Sequence, residues 1–320
     1  MRGVLWGQAV GDALGYGAEM LSKADVARTY PGGLRSYGQI TRFPRNPSWQ
    51  PGDWTDDTDQ MLCILESLLA CGSVNLPDIA ARFQHWALTD GYGMGSTSYS
   101  VMRHPEFVHA PQRVAEDYWR AAQQQAASNG AVMRTSVLGV WNLRDEGQVR
   151  HHAEQVCRLT HADPRCVGSC VAVCLAIREL LTGTNDVAAI LAGLSQSVGP
   201  YHPEIDDWLR ASAADSLAPL DLDGGCNPGE PNQLGYTLRT LAAAFWALRH
   251  AGNFADGILA IIHEGGDADT NGAVAGALLG ARFGAAAIDP DWRDGLVHGD
   301  RLRTLTDQLV DLRLAGERTE

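Results

Sequence analysis

Apolar positions along the chain recur with the period of an α-helix. Met61, Leu62, Ile64, Leu65, Leu68 and Leu69 fall on one broad face, Leu234, Leu238, Leu241, Phe245 and Leu248 on a second, and Leu302, Leu305, Leu309 and Leu312 on a third. Alternating runs of β-branched residues are absent, and no stretch reads as strand–helix–strand. The pattern predicts an all-α fold. Two segments carry a further signature: Gly3, Gly7, Gly11 and Gly15 recur every four residues, as do Gly272, Gly276 and Gly280. On a helix this spacing leaves a smooth strip where another backbone can come close. Each glycine costs about 1 kcal/mol of helix propensity, so a packing or binding role must offset it. Both segments are predicted to be central, buried helices.

Turn residues concentrate in Pro31–Gly52 and Pro219–Pro231. Loops of that length often serve as lids or binding loops. Because the central helices come from both ends of the chain, neither loop reads as a linker, and residues 1–320 are expected to form one domain. With 320 residues, 45% of them hydrophobic, the chain can bury a large core. The net charge of −13 makes general nucleic-acid binding a poor fit, since that rests on Lys and Arg meeting phosphates, whereas it suits bound cations. Charged residues interrupt each apolar stretch that approaches membrane-span length, and no processing pattern follows Met1. Seven cysteines do not read as a secreted disulfide framework. A soluble, cytoplasmic protein is expected.

The sharpest chemical feature is a pair of Asp/Thr clusters, Thr55-Asp56-Asp57-Thr58 and Asp267-Ala268-Asp269-Thr270, far apart in sequence and each immediately preceding one of these helices. Helix capping accounts for one such residue per helix. It does not account for two acids within three residues at both sites. If the two helix starts meet, four carboxylates crowd together, and like charges ~4 Å apart repel by ~4 kcal/mol per pair at an effective dielectric of 20. Two divalent cations would neutralise them, and an all-oxygen donor set selects hard ions such as Mg²⁺, Mn²⁺ or Ca²⁺. Asp267 to Gly272 also fits the first half of an EF-hand loop, but the twelfth position is Leu278 where a bidentate Glu is required, and the residues after Gly272 read as buried helix.

The chain resembles the ADP-ribosylglycohydrolase family through six motifs in order: Gly11-Asp12-Ala13-Leu14-Gly15, Trp54-Thr55-Asp56-Asp57-Thr58, Ser128 to Arg134, Thr160-His161-Ala162-Asp163, Gly235-Tyr236-Thr237 leading to Trp246, and Gly266 to Thr270. The resemblance implies a compact orthogonal bundle of many helices around a binuclear metal site. It implies two Mg²⁺ (or Mn²⁺) held by Thr55, Asp56, Asp57, Asp267, Asp269 and Thr270, with Asp12 close by, where a helix-dipole or hydrogen-bonding role suits it equally well. Glu19 falls where serine-directed members carry a glutamate on a mobile flap, and with Asp56 and Asp57 it completes the expected catalytic set. Ser128, Asn129, Gly130 and Ala131 read locally as an Asn-Gly turn opening a helix at Val132, and by resemblance as a loop that holds ribose and phosphate. His161 is equally well a core histidine or a nucleotide contact.

The Gly91–Gly95 loop resembles that of serine-directed members, which would place Tyr92, Gly93 and Gly95 on the substrate. Arginine-directed bacterial members carry an Asp where Gly93 falls, and a guanidinium wants a carboxylate partner. The implied reaction is hydrolysis at the anomeric carbon of the distal ribose of an ADP-ribosylated protein or other acceptor, with an oxygen-linked acceptor favoured over arginine. Two further readings stay open: a non-enzymatic member of the same fold, as in a jellyfish eye-lens crystallin, and hydrolysis of another ADP-ribose ester or a nucleic-acid adduct. Cys166, Cys170 and Cys174 share a helical face, where packing is favoured over soft-metal binding. Trp49 and Trp54 either wall the site or pack.

Overall fold

The computed structural model describes residues 1–41, 49–227, 229–230 and 233–317, so parts of both long loops lie outside the described residues. The chain folds as helices, with no strand among the described residues and one isolated antiparallel bridge, Ser128 to Tyr236. The first half carries α1 (Arg2–Gly15), α2 (Lys23–Thr29), α3 (Asp56–Cys71), α4 (Leu76–Thr89), α5 (Ser96–Met102), α6 (Pro111–Ala121), α7 (Ser136–Trp141) and α8 (Glu146–Arg158). The second half carries α9 (Pro164–Leu181), α10 (Val187–Val198), α11 (Pro203–Ala211), α12 (Thr237–His250), α13 (Phe254–Ile262), α14 (Ala268–Phe283), α15 (Pro290–Asp294) and α16 (Gly299–Glu317). No helix among the described residues is long and apolar enough to cross a membrane.

The two glycine-striped helices are the centre of the bundle. Residues Gly3–Gly15 of α1 and Ala268–Ala281 of α14 are buried throughout, and this is the most extensive helix pair in the fold. They run antiparallel in direct backbone contact. A Cβ on Gly3, Gly7 or Gly11 would overlap the carbonyl oxygen of Gly280, Gly276 or Gly272 respectively, and one on Gly15 would overlap that of Ala268. Such close approach suits Cα–H···O contacts and dense dispersion packing. Its functional consequence is one of register: the C-terminal end of α1 is set beside the first turn of α14.

Four features depart from the patterning. The acidic clusters do not precede their helices; Asp56 and Asp57 occupy the first turn of α3, and Asp269 and Thr270 that of α14. Leu234 stands outside α12, because Asn129 N–H donates to Gly235 O (2.8 Å) and Thr237 N–H to Ala127 O (3.0 Å), which holds this stretch beside residues 127–129. Val132–Arg134 form a 3₁₀ turn, and the α-helix begins at Ser136. On α16, Leu302 and Leu309 are buried but Leu312 is exposed.

The glycine contact predicts a sharp contrast. Gly276→Ala places a methyl on the Gly7 carbonyl and is expected to destabilise the protein by about 3 kcal/mol or more. Gly193→Ala, in α10 with open space around it, is expected to be neutral or stabilising by up to about 1 kcal/mol. Urea unfolding of the two variants checks this; equal effects contradict it.

Candidate active site

The register of α1 on α14 brings together three helix termini: the last turn of α1 and the first turns of α3 and α14. Neither N-cap residue, Thr55 or Asp267, makes a side-chain capping bond. For α3 the cap comes from α1 instead. Asp12 Oδ1 accepts from Thr55 N–H (3.0 Å) and Thr55 Oγ1 (2.9 Å), while Oδ2 accepts from Thr58 N–H (3.0 Å) and Thr58 Oγ1 (2.6 Å). Asp12 therefore ties two helices together, with both oxygens used.

Asp57 lies between the clusters. Its Oδ2 lies 3.1 Å from Thr55 Oγ1, whose single proton is shared with Asp12, and accepts from Thr270 Oγ1 at 3.4 Å. Asp56 accepts from Gln60 Nε2 at 2.9 Å, and Asp267 from Asn129 Nδ2 at 2.6 Å. Burial first, then the neighbouring carboxylates, push Asp56, Asp57 and Asp269 well above the usual carboxylate range. Burial alone raises Asp12 to about 7 against its four hydrogen bonds.

The donor set fits a hard divalent cation. All six candidate ligands offer oxygen, and Asp57 Oδ1 and Asp269 Oδ1 are buried with no hydrogen-bond partner. The oxygens are engaged with neighbouring threonines and amides rather than converging on a point. Among the described residues, no three His, Cys, Asp or Glu side chains form a ready-made coordination group. The EF-hand alternative fails outright, since Asn271 and Gly272 lie inside α14.

A cavity of about 250 Å³ opens over the clusters, lined by Glu19, Asp56, Gly93, Gly95, Ser128, Asn129, Gly130, Asp267, Asp269 and Thr270 among others. Glu19 is only 2% exposed, so it is no solvated surface charge. The segment after it is pinned by Met20 N–H to Gly266 O (2.7 Å) and Gly266 N–H to Leu21 O (2.8 Å). Met20 takes a left-handed φ of 60°, an uncommon conformation for a side-chain-bearing residue that recurs at functional sites. A Cβ at Gly93 would lie 2.7 Å from Asp56 Oδ1, so only glycine lets the loop pass so near.

Ala131 is fully buried, and neither Ala131, Tyr92 nor His161 lines the cavity. His161 sits behind Gly130 and Ser128, with its Nε2 2.9 Å from Ser128 Oγ. Burial, helped by the Arg134 charge, lowers it to about 3 and keeps it neutral. Asp90 lines a separate cavity with Asp59, Asp78 and Arg301, and Glu106 is exposed and paired with Arg113. A second cavity of about 510 Å³ shares Ser96, Ser128, Leu234 and Gly235 with the first and is walled further by Tyr118, Arg165 and Tyr236.

The cysteines pack: Cys166 Sγ donates to Ser128 O and Cys174 Sγ to Thr135 O, both at 3.1 Å. Trp49 stacks on Tyr16 with centroids 4.3 Å apart, and Trp54 Nε1 donates to Asp59 Oδ1 at 2.9 Å. Patterning passed over Gln60 and Arg134. Gln60 was visible as a polar residue one turn after Asp56 in an apolar helix; Arg134, quoted only as a motif member, is fully buried.

Comparison with known proteins agrees with this geometry. The ADP-ribosylglycohydrolase family model matches residues 1–318. The ADP-ribosylarginine hydrolase Tri1 of Serratia proteamaculans is 26% identical over 96% of this chain and 78% of its own length. The ADP-ribosylhydrolase ARH3 of Gallus gallus is 23% identical over 97% and 92%. A solved ADP-ribosylglycohydrolase-related protein complex superposes with a TM-score of 0.71 and 27% identity, covering 97% of this chain and 96% of that one. The chain belongs to the ADP-ribosylglycohydrolase family and is an enzyme of that class.

The raised carboxylates give a pH prediction. A group whose folded pKa exceeds its unfolded one stabilises fully below the unfolded value, 3.8 for Asp12, and that contribution is lost as pH rises through the folded value of about 7. In chelator, the protein is expected to melt at a higher temperature near pH ~5.5 than near pH ~8. A flat or reversed thermal profile contradicts this.

Proposed function

We propose that this chain hydrolyses the bond between the distal ribose of ADP-ribose and its acceptor, aided by two Mg²⁺ or Mn²⁺ ions held by Thr55, Asp56, Asp57, Asp267, Asp269 and Thr270. The observation that carries the reading is the meeting of two Asp/Thr helix starts at one cavity, with two buried carboxylate oxygens left unpartnered. When bound, the cations would supply Lewis acidity toward ribose hydroxyls and an attacking water. Asp12 ties the first turn of α3 to the last turn of α1. Glu19, buried at the cavity wall, is the acid that handles protons at the anomeric centre, where charge develops on an oxocarbenium-like path. Ser128, Asn129 and Gly130 seat the ribose and diphosphate, and the adjoining cavity beside Tyr236 and Arg165 takes the rest of the nucleotide.

For linkage, we read an oxygen-linked acceptor as favoured. Gly93 supplies no acid, Asp90 and Glu106 lie elsewhere, and Glu19, the one cavity carboxylate among the described residues outside the proposed ligand set, is committed to handling protons. A missing charge-assisted contact to a departing guanidinium is worth roughly 1.5–3 kcal/mol, or one to two powers of ten in rate. The ADP-ribosylarginine hydrolase among the relatives makes arginine the comparison to run.

Asp57→Ala or Asp269→Ala is expected to abolish turnover and lower Mn²⁺ uptake measured by calorimetry; full activity in chelator would overturn the metal assignment. Glu19→Gln is expected to lower kcat at least about a hundredfold with Mn²⁺ uptake retained, and wild-type rates would remove its proton role. Matched serine- and arginine-linked peptides, compared by kcat/KM with one metal, test linkage. A preference for arginine reverses that part and leaves the hydrolase reading standing.

A further inference from the structure

Arg134 is a cation buried, among the described residues, with neutral partners only. Its Nη1 donates to Gln60 Oε1 at 2.6 Å, its Nη2 donates to Thr160 Oγ1 at 2.5 Å, and the guanidinium lies 4.4 Å from the Phe83 ring centroid. A guanidinium offers donors and no acceptor. Whatever touches it must accept, and that fixes the direction of the hydrogen bonds beyond.

On one side, Gln60 must turn its carbonyl oxygen to Arg134, so its amide nitrogen faces Asp56 and donates to Oδ2 at 2.9 Å. Asp56 Oδ1 is then left on the Gly93 side of the cavity. On the other side, the Thr160 oxygen accepts from Arg134 and its hydroxyl lies 2.7 Å from His161 Nδ1. Thr160 is fully buried, and Nδ1 is the only acceptor recorded for its proton among the described residues. His161 therefore carries its single proton on Nε2 and donates it to Ser128 Oγ, which donates onward to Thr97 Oγ1 at 3.0 Å. Ser128 thus meets the cavity as an acceptor, a match for a ligand hydroxyl.

We propose that Arg134 is a positioning residue that sets hydrogen-bond polarity on both walls of the active-site cavity, orienting Asp56 through Gln60 and Ser128 through Thr160 and His161. The consequence for Asp56 rests on the cation reading above; the histidine tautomer does not.

The wild-type protein supplies the first test. ¹⁵N shifts of labelled histidine, read without metal, are expected to show His161 neutral with its proton on Nε2; a proton on Nδ1 overturns the proposal. Arg134→Lys keeps a donor-only cation and is expected to retain that tautomer and bind Mn²⁺ within about threefold of wild type. Arg134→Gln, which can accept as well as donate, is expected to give mixed tautomers and at least tenfold weaker Mn²⁺ binding. A role in packing alone would lower the melting temperature and leave tautomer and Mn²⁺ affinity untouched, and that result also overturns the proposal. Wild type that binds no Mn²⁺ while showing the Nε2 tautomer would overturn the cation reading and with it the Asp56 arm.

Discussion

The backbone contact between α1 and α14 is the constraint on which the site depends. Helices usually keep their axes 8–10 Å apart because side chains intervene; here three glycine pairs face one another, with Gly15 against Ala268 beyond them, and carbonyl oxygens stand where Cβ atoms would be. Sliding one helix past the other would drive an alanine or a larger residue into those oxygens, so the pair has few alternative registers. That register places Asp12 against Thr55 and Thr58, and it sets the first turn of α14 opposite that of α3. The position of the Asp12 carboxylate is thus decided by residues up to three turns away that do not line the cavity.

Burying so much like charge is unfavourable, and the surrounding chain manages it with dipoles and donors. Two helix N-termini point at the cluster, each contributing partial positive charge. Threonine hydroxyls and the amides of Asn129 and Gln60 hold individual oxygens. Arg134 adds a full positive charge behind Gln60, at a distance where it stabilises anions without occupying the cavity. Asp57 Oδ1 and Asp269 Oδ1 remain without partners even so.

Much of this was legible in the sequence, for identifiable reasons. Helical period and glycine spacing are local signals, and they identified both central helices because each stripe is uninterrupted. The Asp/Thr clusters were equally visible, being too acid-rich for caps. What was not legible depends on contacts between distant residues. Nothing near Asp12 shows that it caps a helix more than forty residues onward, nor that His161 stands behind Ser128 rather than at the cavity surface. Leu234 read as the start of a helix because apolar spacing continues through it; pairing with residues 127–129 overrides that pattern. Gln60 offered only its polarity one turn after Asp56, and Arg134 only its place in a motif; neither shows its role until its partner is known.

The glycine contact also dictates when the enzyme can come into being. Its two halves, residues 3–15 and 268–280, are separated by more than 250 positions, so the central pair cannot close until nearly all of this chain has been synthesised. Bringing together segments so far apart carries a loop-closure cost, and folds dominated by such contacts form slowly. Until then α1 is an apolar, glycine-rich segment with a weak intrinsic tendency to be helical and no surface of its own to rest on. The nascent chain must keep its N-terminal helix waiting, and on the function proposed above a divalent ion that gathers Asp56 and Asp269 would bear on the last step of folding as much as on the chemistry that follows it.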